Sequence, residues 1–140
     1  VVRVRAALRV SAVAAIACGL AGCGLDIQSP DLFVLTRTGQ GPKLTLLVND
    51  SGTLSCNGGK PKPISDTLLI EARDLSDNLA NDASHKLTIP ERPGTVFYYR
   101  IRLQQGTVSF PDRAASGRKD LSEAELFAAQ AAQQVCRLSG

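Results

Sequence analysis

The first 22 residues decide how much chain is left to fold and in which compartment it folds. Val1–Arg9 carries Arg3, Arg5 and Arg9, and residues 10–22 are apolar or small with no charge among them. A basic stretch followed by a short apolar one is the pattern of a secretory signal peptide. A bilayer-spanning helix needs about 20 apolar residues, whereas this run is shorter and stops at Gly22-Cys23-Gly24, with Asp26 close behind. The segment from residue 23 onward suffices for one buried core, so a single exported domain is expected.

Leu20-Ala21-Gly22-Cys23 closes this leader, and it resembles the lipobox of bacterial lipoproteins. The resemblance implies that the Cys23 thiol receives a diacylglycerol and that the chain is cut just before it. Small residues at the two preceding positions let the extended chain fit the membrane peptidase. Ala15-Ile16-Ala17-Cys18 is a poorer match, with Ala where Leu is usual. Two or three acyl chains would hold the protein durably on the outer face of the bacterial plasma membrane, where one chain alone binds marginally. The implied organisation is a signal peptide over 1–22, a lipidated tether over 23–30 and a single domain over 31–140. Gly24–Pro30 spans at most about 23 Å when extended, which keeps the domain close to the bilayer. The chain as a whole is similar in style to the small lipoproteins of high-GC Gram-positive bacteria, a likeness that implies an address and no activity.

With Cys18 in the leader and Cys23 lipidated, Cys56 and Cys136 are the remaining pair. One disulfide is then the expectation in an oxidising compartment, against the alternative of two unpaired buried thiols. It would close a loop of about 80 residues and stabilise the fold by roughly 4 kcal/mol.

The formal charge of +3 points at first to nucleic acid or an anionic surface. Three of the 16 Lys and Arg lie in the leader, however, leaving 13 against 13 Asp and Glu. The mature chain is formally neutral, and nucleic acid is not an expected partner.

Turn clusters divide the mature chain into short elements. Asp31–Thr38 and Leu44–Asp50 read as strands joined across Gly39-Gln40-Gly41-Pro42. A third strand is expected at Thr53–Cys56, followed by a stiff surface loop over Gly58–Pro63. Ser65 or Asp66 can cap a helix to about Asn81, with Leu68, Leu69, Ala72, Leu75 and Leu79 in one apolar stripe. Lys86–Ile89 suggests a short strand. Thr95–Gln104 alternates Phe97, Tyr99, Ile101 and Leu103 against Tyr98, Arg100 and Arg102. Val108–Phe110 follows, then a second helix over Glu123–Cys136, where Ser122 and Glu125 fit a capping box and Leu121 and Leu126 a hydrophobic staple. Its expected buried stripe is Leu126, Phe127, Ala131 and Val135. The order predicts an α+β domain, with an antiparallel sheet of about five strands and two helices packed on one face.

Constellations with chemical potential are few. Ser116-Gly117-Arg118-Lys119 matches the Ser-x-x-Lys pattern of penicillin-binding enzymes, but the companion Ser-Asp-Asn and Lys-Thr-Gly motifs are missing. His85 is the only histidine, in a polar connection, and no metal site or cofactor is expected. Glu71, Asp74, Asn78, Asn81 and Asp82 cluster on the first helix and read as a solvated face more readily than as a calcium site. Tyr98, Arg100 and Arg102 share one face of a strand whose other face is core. Two arginines beside an aromatic can grip a carboxylate or phosphate and stack on a planar group.

The expected function is therefore a non-enzymatic binding or interaction module at the membrane surface. It would recognise a protein or cell-envelope ligand through the Tyr98, Arg100, Arg102 face or the Gly58–Pro63 loop. An alternative rests on order: Leu54-Ser55-Cys56-Asn57-Gly58-Gly59, a Pro-rich loop, a helix and later long strands are similar over residues 32–110 to the secreted subtilisin-inhibitor family. That resemblance implies a five-stranded sheet, two helices and protease inhibition. Cys56 matches a family cysteine, while the other three and their bridged reactive loop are absent. A small hydrolase or transferase is a third class.

Overall fold

Alternation along the strands builds the domain. In Asp31–Gly39 (β1), Phe33 and Leu35 are fully buried, and they stand beside Val48 and Leu46 of Leu44–Asn49 (β2) in an antiparallel register. Across the other edge of β1, Leu35 faces Ile101 of Phe97–Leu103 (β5), which in turn faces Val108 of Gly106–Pro111 (β6). These residues share one sheet face because side chains alternate with period two. The computed structural model describes Ile27 and residues 30–138; the expected leader, Cys18, the expected lipidation site Cys23 and most of the expected tether lie outside the described residues.

With Thr53–Cys56 (β3) and Lys62–Pro63 (β4), the sheet has six strands in the order β4-β3-β2-β1-β5-β6, one more than the sequence predicts, and every neighbouring pair is antiparallel. The added strand, β4, falls in the expected surface loop, where Pro63 pairs with Thr53 and Lys62 with Leu54. Proline is tolerated there because β4 is an edge strand with no outer neighbour to receive its missing N–H.

Asp66–Ser84 (α1) begins as expected, with the Ser65 hydroxyl accepting from the Leu68 N–H at 3.2 Å. It runs three residues past the predicted end. Lys86 N–H then donates to Ala83 O and Leu87 N–H to Asp82 O, the paired bonds of a Schellman stop, with Lys86 at φ +54°. The chain leaves as a strap whose Thr88 makes an isolated parallel bridge to Ser109, the remnant of the predicted Lys86–Ile89 strand.

Lys119–Gln134 (α2) starts a full turn before the expected Glu123, after a 3-10 segment at Asp112–Gly117. Arg118 is the N-cap residue and makes no side-chain cap bond, so the Ser122–Glu125 capping box does not form: Ser122 N–H instead donates to Arg118 O inside the helix. The earlier start brings Leu121, Ala124, Phe127, Ala128 and Ala131 onto the buried stripe and leaves Leu126, predicted to be core, 57% exposed. Burial of Leu121 and Ala124 outweighs a local cap worth about 1 kcal/mol.

Both helices lie on one face of the sheet. Phe127 meets Phe33 edge-to-face at 5.5 Å, and α1 packs on β1, β5 and β6. The β5–β6 turn comes so close to the end of α1 that a Cβ on Gly106 would stand 2.1 Å from the Ala83 carbonyl oxygen.

Cys56, on the helix side of β3, is bonded to Cys136 just beyond α2, with the Cα atoms 5.7 Å apart and the two positions separated by 80 in sequence. Lys62 Nζ adds a bond from β4 to Val135 O at 3.2 Å. Closing a loop of that length removes about 4 kcal/mol of unfolded-chain entropy. Replacing both cysteines by serine should lower urea-unfolding stability by about that amount; an unchanged midpoint would show that the bond holds nothing.

Candidate functional site

The sheet face turned away from the helices carries three cross-strand rows. Thr45, Thr36, Arg100 and Ser109 form the middle row; Ser55, Leu47, Val34, Arg102 and Thr107 form one flank, and Thr38, Tyr98 and Pro111 the other. No helix covers this side among the described residues. Hydroxyl-bearing β-branched residues suit a flat, half-buried strand surface. Val34 is nonetheless 4% exposed, being flanked by the longer Leu47 and Arg102 on the adjacent strands.

The three residues singled out from sequence do share this face, but they are not equivalent. Arg100 is exposed, while Tyr98 and Arg102 are half-buried. The Tyr98 hydroxyl donates to Ile89 O at 3.1 Å, which ties β5 to the strap after α1. Tyr98 is thus a fastening, and Arg100 is the side chain that reaches solvent.

The opposite, helical surface has a groove that single-element reasoning missed. About 510 Å³ of space opens between α1 and α2, lined by Leu75 and Phe127 at its base and by Glu71, Asp74, Asp77, Glu123 and Lys119 along its sides. Leu126 stands at its lip. The clustering of Glu71 and Asp74 is visible in the sequence, and Asp77, three residues after Asp74, completes an acidic wall.

The two helices are acidic. They carry eight Asp and Glu against Arg73 and Lys119, a net charge of −6, so the rest of residues 23–140 carries +6. The calcium-like cluster seen in the sequence is split up. Glu71, Asp74 and Asn78 line the groove. Asn81 O accepts from the Ser84 hydroxyl at 2.7 Å and lies 2.8 Å from His85 Nδ1. Asp82 pairs with Arg118, whose Nε also donates to Asp120 at 3.1 Å. Among the described residues no group of His, Cys, Asp and Glu is arranged to hold a metal ion.

Ser116 and Lys119 do not meet as a catalytic pair. The Ser116 hydroxyl donates to Arg113 O at 3.0 Å, and Lys119 lies 3.4 Å from Glu123.

A polar corner unforeseen from sequence sits at the end of the sheet near α2. The Arg37 guanidinium lies 4.6 Å over the Phe97 ring and beside the Tyr99 hydroxyl, and Tyr99 stacks on Phe110 at 5.3 Å. Burial, then the nearby Glu125 charge, pushes the Tyr99 hydroxyl up to about 12. Glu125 comes in from α2 with one carboxyl oxygen buried and without a hydrogen-bond partner. Burial first, and the Asp112 charge second, push its carboxyl up to about 7.

Comparison with family models, with curated proteins and with solved structures returned no match.

The Glu125 shift has a signed consequence. Below about pH 4.5 the carboxyl is neutral in both folded and unfolded chains, so the shift costs nothing. As pH rises toward 7 the unfolded chain ionises first, and the folded state loses stability across that window. Glu125→Gln should therefore match the native Tm at pH 4 and exceed it at pH 8. An equal Tm at both would mean that the carboxyl is not held in an apolar setting.

Proposed function

We propose that this chain is a lipid-anchored, extracytoplasmic binding module with no catalytic chemistry of its own. It docks an anionic partner of the cell envelope on the bare sheet face. The observation that carries the reading is the position of Arg100, exposed in the middle row of that face, with the half-buried Thr36 and Thr45 in the same row. A guanidinium set among hydroxyl groups on a rigid sheet offers charge-assisted and neutral hydrogen bonds in fixed positions, at little conformational cost. The membrane address rests on the basic-then-apolar leader and Cys23, whose acyl chains would confine the domain to within a short tether of the bilayer.

One experiment in cells making the full chain tests both halves. Cys23→Ala should block processing, and the appearance of an unchanged mature form would remove the anchor from the account. Arg100→Glu with Arg102→Glu should be processed normally, keep the native circular dichroism, and lose an envelope partner that the native protein retains and that high salt releases. Retention of the same partner by this variant would refute docking through the sheet face.

A further inference from the structure

The groove between α1 and α2 differs from the sheet face in side, sign and shape. Its base is apolar, formed by Leu75 and Phe127, and Leu126 on its lip is 57% exposed. Along the α1 wall, Glu71, Asp74 and Asp77 follow one another at three-residue spacing, and no cationic side chain pairs with any of them among the described residues. Lys119, the one cation at the groove, is matched with Glu123 at 3.4 Å. Like charges at this spacing repel along a helix, and the Leu126 side chain beside them is left in contact with water while Leu75 and Phe127 beneath are buried.

We infer that this groove is the docking site for a cationic amphipathic segment of a partner protein. The segment seats an apolar side chain against Leu75, Leu126 and Phe127 and sets Lys or Arg side chains against Glu71, Asp74 and Asp77. An added helix would lie between α1 and α2 as amphipathic helices lie in grooves elsewhere, its anchors spaced along one face. The volume of about 510 Å³ suits one or two anchoring side chains. Charge complementarity selects this occupant over the others. A second copy of the chain would bring the same carboxylates against themselves, and an anionic lipid surface would be repelled by a helical layer of net −6. A single metal ion would need converging oxygens, whereas Glu71 and Asp77 stand about 9 Å apart along the helix at 1.5 Å per residue.

The test uses the full chain in nanodiscs of zwitterionic lipid and a fluorescent synthetic Leu/Lys amphipathic peptide, with a scrambled peptide and a Leu/Glu peptide as controls. The Leu/Lys probe should bind above the level of empty discs, and both controls should bind more weakly. Carbodiimide coupling should join its lysines to Glu71, Asp74 or Asp77. Glu71→Gln, Asp74→Asn and Asp77→Asn together should weaken binding about tenfold, the order expected of three partly exposed charge pairs lost at once. These positions are at the surface, and an unchanged far-ultraviolet spectrum checks the fold. Arg100→Glu with Arg102→Glu should bind the probe as the native chain does, which separates this site from the sheet face. No binding above empty discs, equal binding of the scrambled peptide, coupling outside the groove, or undiminished binding by the triple variant would each overturn the inference.

Discussion

The Cys56–Cys136 bond is the constraint from which the rest of the architecture follows. It fixes the end of α2 to β3, near one edge of a sheet whose centre is β1. At the other end of α2, Arg118 joins Asp120 to Asp82 near the close of α1. Held at both ends, α2 crosses the sheet with Phe127 resting on Phe33, and α1 fills the space beside it. Both helices are thereby confined to one face. The groove between them and the bare face behind them are two results of the same clamp.

That arrangement gives meaning to a charge balance that is uninformative as a total. Thirteen cations and thirteen anions cancel over residues 23–140, yet the two helices hold −6 and the remainder +6. Separation of this kind produces a field that orients a protein near charged partners, with an effect that fades as salt is raised. The acidic groove lies on the helical side, and Arg100 and Arg102 are the cations in the rows of the bare face, so the two proposed docking sites differ in sign.

The strands were legible wherever burial imposes period two. Phe97, Tyr99, Ile101 and Leu103 declared β5, and the same alternation put Tyr98, Arg100 and Arg102 together on the far face. The short strand at Lys62–Pro63 has no such signal, because only its pairing with Thr53 and Leu54 makes it a strand. The start of α2 departs from its local signal for the opposite reason: Ser122 and Glu125 compose a good local cap, but the helix begins a turn earlier because Leu121 and Ala124 gain more from burial. That one-turn error carried Leu126 into the expected core and hid the burial of Glu125 beside Tyr99. The groove could not be foreseen from either helix alone, since its base combines Leu75 of α1 with Phe127 of α2. Tyr98 illustrates a further limit, because face assignment from alternation cannot reveal that its hydroxyl is committed to Ile89 O.

The claim on which this account turns is that one side of the sheet is covered by helices and the other is open to solvent. Attenuation of methyl resonances by a soluble gadolinium chelate measures it directly. The account predicts strong attenuation at the Thr36, Thr45 and Leu47 methyls and little at Leu35, Leu46 and Ile101, whose side chains point under the helices. Protection of Thr36 and Thr45 to the same degree as Leu35 and Ile101 would contradict it, because the supposed docking face would then be covered.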